Sequence, residues 1–373
     1  MTPAHEPKPL RNLVSEIVSI PTVSYLEHGV RAYLRAFAAE RGLEYAEDDY
    51  GNAYIRYQRG RPRRALVLGA HIDHPGFVVT AVRGRRLTLE FRGGLSAAYG
   101  KGECLRLFGA QDLDDLGTAT ITTVQASERK TIATATAQLD AGATAEAGDL
   151  ALWDVPACRF RGDIVQARGC DDLAGCVAVL ATLDRAVAAR TLGTLIGLFT
   201  RAEEVGLRGA SVVGRARLLP EDVLIVAVET SSMAGGRAVQ GGGPIVRVGD
   251  AIHIFSPMMT RWMVGLANEL AAADPAFRYQ RKLMDGGTTE ATVYDLYGYE
   301  TGAACIALGN YHNAGPRNRV AAETVHLGDL DGLVRIFGRR LETVPKAETY
   351  VEALRKRLDT LGREAQPLLR KSR

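Results

Sequence analysis

ALVLGAHIDHPGF, residues 65 to 77, joins an unbroken apolar run to two histidines, an aspartate and a Pro-Gly turn. A segment that is apolar at every position, instead of every second one, is the pattern of a strand covered on both faces in a parallel sheet. Ligands in such sheets collect beyond the carboxyl ends of the strands, so His71 and Asp73 fall where chemistry is usually placed.

Upstream, helical periodicity runs through Leu13 to Ile20 and again from Glu27 to Arg41, with Pro21 between them. A turn at Tyr50, Gly51 and Asn52 precedes a short strand near Ala53 to Tyr57. Downstream, from about Pro75 to Phe160, the texture changes to short alternating runs: Phe77 to Val82, Arg86 to Phe91, Leu105 to Phe108 and Thr118 to Val124. Separated by glycine-rich turns, they predict a small β-barrel or sandwich set into the chain. Beyond Val165, apolar strands alternate with helices: a helix over Asp171 to Ala189, strands at Thr194 to Thr200 and Val223 to Val228, a helix over Pro257 to Ala273, a strand at Ala304 to Leu308, then closing helices. The expected fold class is α/β, a mostly parallel sheet with helices on both faces. Residues 1–74 and 161–373 would form its catalytic domain, with 75–160 as an inserted β-barrel domain. Tyr350 to Arg373 is expected to be a solvated amphipathic helix with a frayed basic tail.

The chain has 373 residues, long for a single core, with 46% apolar and 24% charged residues, a balance that excludes general disorder. A formal charge of +3 gives no reason to expect nucleic acid or a membrane surface as partner. Cys104, Cys158, Cys170, Cys176 and Cys305 form no CxxC pair, which fits a reducing compartment. No stretch nears the roughly 20 uncharged residues of a membrane span, and MTPAHEPKPLRN carries no apolar leader. A cytoplasmic protein is expected.

Metal-ligand side chains stand after each apolar run: His71 and Asp73; Asp171 and Asp172; Glu203 and Glu204; Glu229; and His312. Each alone reads as a surface residue or, for Asp171-Asp172, a helix cap. Two histidines and several carboxylates at equivalent topological positions are hard to read as surface decoration. Imidazole with carboxylate favours zinc, with cobalt or manganese next. A pair of divalent cations needs a shared ligand, and Asp171, with two oxygens, is the natural bridge. Of Glu203 and Glu204, one can ligate while the other moves protons. Asp73, two residues past His71, can accept the imidazole's second N–H.

These segments are similar to a known family, the co-catalytic dizinc aminopeptidases typified by glutamyl aminopeptidase and the tetrahedral aminopeptidases. AHIDHPGF, GCDDLAG, EEVGLRGA, GGTTEA (Gly286 to Ala291) and LGNYHNAG occur in the family's order, and the likeness covers nearly the whole chain. It implies one metal on Asp171, Glu204 and His312, the other on Asp171, His71 and Glu229, and Glu203 as general acid/base. It also implies a cis peptide at Asp171-Asp172, a peptide substrate, and homo-oligomers from a dimer up to a dodecamer built through the inserted domain. The family's nearest members carry Asp in place of Glu229 and an acidic-aliphatic pair in place of His74-Pro75.

Glu229, GCDDLAG and LGNYHNAG also resemble related dizinc deacylases and carboxypeptidases, a second reading. The early β-rich insertion, ending in AGDLALWDVP, favours the aminopeptidase, since those relatives insert an α+β domain after the third ligand. A third reading is a non-catalytic scaffold that the metals only stabilise. Cys170 is read as a packing residue, His5, His28, His253 and His326 are given no role, and Gly286-Gly287 is either a pocket wall or a plain turn.

Overall fold

The structure is a computed structural model describing residues 5–61, 64–236, 238–338 and 341–371. The first four residues of the chain and the end of the basic tail, Ser372 and Arg373, lie outside them. In chain order the regular elements are α1 (Leu10–Val18), α2 (His28–Glu40), β1 (Glu44–Glu47), β2 (Ala53–Arg59), β3 (Leu66–His71), β4 (Gly76–Arg83), β5 (Arg86–Arg92), β6 (Cys104–Phe108), β7 (Asp115–Ala126), β8 (Ile132–Leu139), β9 (Leu150–Trp153), β10 (Cys158–Arg161) and β11 (Ile164–Ala167). Then follow α3 (Leu173–Ala189), β12 (Gly193–Thr200), α4 (Arg208–Ala216), β13 (Leu224–Ser232), β14 (Ile245–Gly249), α5 (Pro257–Ala273), β15 (Gln280–Leu283), α6 (Glu290–Leu296), β16 (Glu300–Leu308), β17 (Glu323–His326), α7 (Leu327–Gly338) and α8 (Thr349–Lys371).

Eight strands form the main sheet in the order β1-β2-β12-β3-β13-β16-β14-β15. Its centre, β12-β3-β13-β16, is parallel, while β1, β2 and β14 join antiparallel. The apolar runs alternate between two cores. Leu66, Leu68, Leu224 and Val226 pack under α1, α3, α5 and α7, and Val67, Ile196, Leu198 and Ile225 pack against α4 and α6. Both faces are therefore buried, which is why these strands read as continuously apolar. β13 runs four residues beyond the expected Val228, so Glu229 lies within the strand, beside Cys305 of β16.

β4, β5, β8, β7, β6 and β9 close into a barrel, so the barrel alternative holds over the sandwich. Its strands point alternate residues inward, as Leu87, Leu89 and Phe91 do in β5, around an edge-to-face pair of Phe77 and Trp153 with centroids 5.2 Å apart. β10 and β11 leave the barrel and pair with β17 in a separate three-stranded sheet. The interval between Glu229 and His312 holds β14, α5, β15 and α6, which extend the main sheet and do not form a sheet of their own.

A buried ion pair locks α3 to the N-terminal segment. The Asp184 carboxylate, on α3, accepts from Arg41 Nε at 2.6 Å and from the Lys8 N–H at 2.7 Å, and pairs with His5. Burial alone would raise its pKa; the Arg41, His5 and Lys8 contacts overcome that and lower it. A folded-state pKa below the unfolded one, about 3.9, gives stability that is present above that value and lost as pH falls through the folded pKa. Asp184→Asn should therefore cost about 3 kcal/mol in urea unfolding at neutral pH and weaken the acid dependence of the midpoint. An unchanged midpoint at both pH extremes would show the clamp to be dispensable.

Candidate active site

The four parallel strands deliver their carboxyl ends to one edge of the sheet. His71 is the last residue of β3 and pairs in register with Thr200, the last of β12. Glu203 and Glu204 follow β12, and His312 follows β16 by four residues. Asp171 and Asp172 sit at the start of α3, where the Asp172 carboxylate caps the helix by accepting the Gly175 N–H at 3.2 Å. The peptide between them is cis.

His71 Nε2 lies 3.5 Å from Asp171 Oδ1 and 4.0 Å from Glu229 Oε2. His312 Nε2 lies 3.7 Å from Asp171 Oδ2 and 3.1 Å from Glu204 Oε2. Two trios, His71-Asp171-Glu229 and Asp171-Glu204-His312, thus bring one ligand atom each to within 4.8 Å of one another, and Asp171 offers a different oxygen to each. A third such trio is His71-Glu203-Glu204, with Glu203 Oε2 3.9 Å from His71 Nε2. Six of the residues singled out in the sequence, His71, Asp171, Glu203, Glu204, Glu229 and His312, meet here.

Their orientation comes largely from groups the sequence did not flag. His71 Nδ1 is 3.2 Å from the Asp73 carbonyl and 3.4 Å from its carboxylate. That carboxylate also accepts from the Ser24 hydroxyl at 2.6 Å and from the backbone N–H groups of Glu203 and Glu204 at 2.9 and 3.2 Å. His312 Nδ1 meets the Gly94 carbonyl, from the barrel, at 2.7 Å. The Glu323 carboxylate accepts the N–H groups of Cys170 and Asp171 at 2.7 and 3.0 Å, and Thr289 donates its hydroxyl to Glu229 Oε1 at 3.1 Å. Of these supports, Asp73 in AHIDHPGF and Thr289 in GGTTEA carried a sequence signal; Ser24, Gly94 and Glu323 lie in stretches with none.

The electrostatics are those of a cluster short of positive charge. Burial, then the neighbouring carboxylates, push Glu203 well above the usual carboxylate range, and burial pushes Glu229 up to about 8. Burial would depress both histidines. The Asp171 and Asp73 carboxylates instead hold His71 well above its ordinary value, and Glu204 pushes His312 up to about 10. Asp171 Oδ1 and Glu204 Oε1 are buried with no hydrogen-bond partner among the described residues, which is costly for a carboxylate unless a cation completes its shell. The donor set and these orphaned oxygens fit divalent metal ions.

The site opens on a cleft of about 180 Å³, below the roughly 300–1,000 Å³ typical for whole small molecules. Gly286, Gly287 and Thr288 line it, so the Gly-Gly pair is a pocket wall. Arg247, 4% exposed on β14, lines it as well. Cys170 is fully buried, its thiol pushed well up by burial, as befits a packing residue.

Among solved structures, the chain is similar to an aminopeptidase from the archaeon Desulfurococcus kamchatkensis, at 18% identity and a TM-score of 0.75 over 91% of this chain and 96% of that one. It is similar too to a TET aminopeptidase from a marine-sediment Thaumarchaeota archaeon, at 17% identity and 0.74 over 91% and 99%. The TET1 peptidase of Pyrococcus horikoshii, which can assemble into a tetrahedron or a large octahedral shell, matches at 22% identity and 0.71 over 88% and 98%. No curated protein matches. The M42 glutamyl aminopeptidase profile matches residues 51–334, most of the chain and every residue of the cluster. The chain belongs to the M42 glutamyl aminopeptidase family of metal-dependent peptidases.

Proposed function

We propose that this protein is a cytoplasmic dizinc aminopeptidase that removes residues from the N-termini of peptides. The observation that carries the reading is the pair of ligand trios sharing Asp171. His71, Asp171 and Glu229 would hold one metal and Asp171, Glu204 and His312 the other, with zinc favoured by the imidazole and carboxylate mix and cobalt or manganese as alternatives. Bound there, the cations would acidify water and polarise the scissile carbonyl. Glu203 would take the water's proton and pass it to the leaving amine, a task suited to a carboxylate whose burial raises its proton affinity. Asp73 would fix the ring orientation of His71 while holding the turn that carries Glu203. Residues 75–160 are the inserted domain of this reading, 1–74 with 161–373 the catalytic one. Five free cysteines suit a reducing interior. The oligomeric shells recorded for the TET peptidase support a homo-oligomer here.

Arg247 gives the cleft a chemical preference. It donates to Ser231 Oγ and the Met284 carbonyl at 3.3 Å each, leaving its Nε without an acceptor among the described residues. A buried guanidinium with donors to spare favours a carboxylate, so an acidic first residue is the preferred substrate.

Aminoacyl-nitroanilides should be hydrolysed and N-blocked peptides spared; turnover confined to blocked or C-terminal substrates would reverse the assignment to a deacylase or carboxypeptidase. Glu203→Gln should lower kcat at least about 100-fold while keeping its metal, and an indistinguishable Glu203→Gln variant of an inactive protein would leave a scaffold. Elemental analysis should find about two metal ions per chain, reduced to about one by His312→Gln and to fewer by Asp171→Asn; loss of only one ion from the Asp171 variant would remove it as the bridge. Arg247→Met should cut kcat/KM for glutamyl-nitroanilide at least about tenfold relative to alanyl-nitroanilide, and an equal effect on both would deny Arg247 a role in selection.

A further inference from the structure

α8 lies beyond residue 334, where the family match ends. Its first turn is seated on α5. The Tyr350 hydroxyl donates to Glu269 Oε1 at 2.9 Å, and Gly265 makes room for the Tyr350 ring, since a Cβ there would lie 2.3 Å from Cδ1. Past that turn the helix carries apolar side chains into solvent, with Leu358 58% and Leu361 51% exposed. Val351, Leu354, Leu358, Leu361 and Ala365 recur at spacings of three and four, the a/d seam of a coiled coil. Leu354 also lines an open groove of about 330 Å³ with Val248, Ile254, Phe255 and Val264. Pro257, Thr260, Arg261 and Arg281 complete the lining of the groove, so an apolar seam meets a mainly apolar groove edged by two arginines at Leu354, a surface of the kind that marks an interaction site.

We propose that this surface takes α8 of a second copy of the chain, the two helices running antiparallel. Aligned about a point between Asp359 and Thr360, Leu358 meets the partner's Leu361, and Leu354 meets the partner's Ala365. The same alignment sets Arg357 beside the partner's Glu364, and by symmetry Glu364 beside the partner's Arg357. A parallel pair would instead put Arg357 beside Gly362 and forfeit both ion pairs. The antiparallel course also opposes the two helix dipoles. It carries the partner's last turns back over Leu354 and the groove, which matters because a seam of about two heptads is marginal alone. Pro367 removes a backbone donor inside the helix and sets the far end of regular pairing.

The pairing does not depend on the metal site and is tested apart from activity. Leu358→Cys and Leu361→Cys chains, co-expressed at full length and mildly oxidised, should yield inter-subunit disulfides joining position 358 to position 361, several-fold over either homodisulfide on peptide mapping. In that background Arg357→Glu should lower the yield several-fold, and adding Glu364→Arg should restore it to within about twofold, as expected for a paired-charge register. Homodisulfides in excess, absence of inter-subunit disulfide, or failure of the charge reversal to restore the yield would each overturn the proposal.

Discussion

The Asp73 carboxylate is the hub around which the cluster is arranged. Four groups from three parts of the chain converge on it: the Ser24 hydroxyl from the segment between α1 and α2, the His71 ring from the end of β3, and the backbone N–H groups of Glu203 and Glu204 after β12. It is fully buried, and these contacts hold its pKa low against the effect of burial. One charge therefore fixes both a ring and the turn that presents two glutamates. Without it, His71 and Glu203 would each be free to rotate in a site where misplacement by an ångström is expensive.

Asp171 is held with comparable redundancy. Its N–H is taken by Glu323, its carbonyl faces His74 Nδ1 at 2.7 Å, and His74 Nε2 lies 3.1 Å from Asn313, the neighbour of His312. The side chain is left to face the two histidines. The His74-Pro75 departure from the family pattern thus falls on a residue that ties the two halves of the cluster together.

Much of the fold was legible because burial on both faces imposes a pattern that no single-faced element mimics. β3, β12 and β16 are read from apolar runs, and α3 from the alternation of strands with helices beyond Val165. β8 escaped because IATATAQL alternates alanine with threonine, giving little hydrophobic contrast. β14 and β15 escaped because they are short and join at the sheet's edge, where Arg281 and Leu283 face outward. The convergence of the clustered histidines and carboxylates was legible because strand ends gather at one edge of the sheet in this architecture. Its supports were not: Glu323 and Gly94 reach the site through register and loop course, which no local pattern encodes.

The barrel lends the site one atom that the rest of the chain does not supply. Gly94 belongs to the connection after β5, yet its carbonyl fixes which nitrogen of His312 faces Asp171 and Glu204. Nearby, Glu103 grips Arg319 and the Val320 N–H, and Tyr99 donates its hydroxyl to the Gly315 carbonyl. The loop so gripped has positive φ at Asn310, His312, Asn313, Arg317 and Asn318, a backbone that needs outside support to persist. The insertion is accordingly a structural component of the cluster, and the rest of the chain without it would leave the His312 ring unmoored.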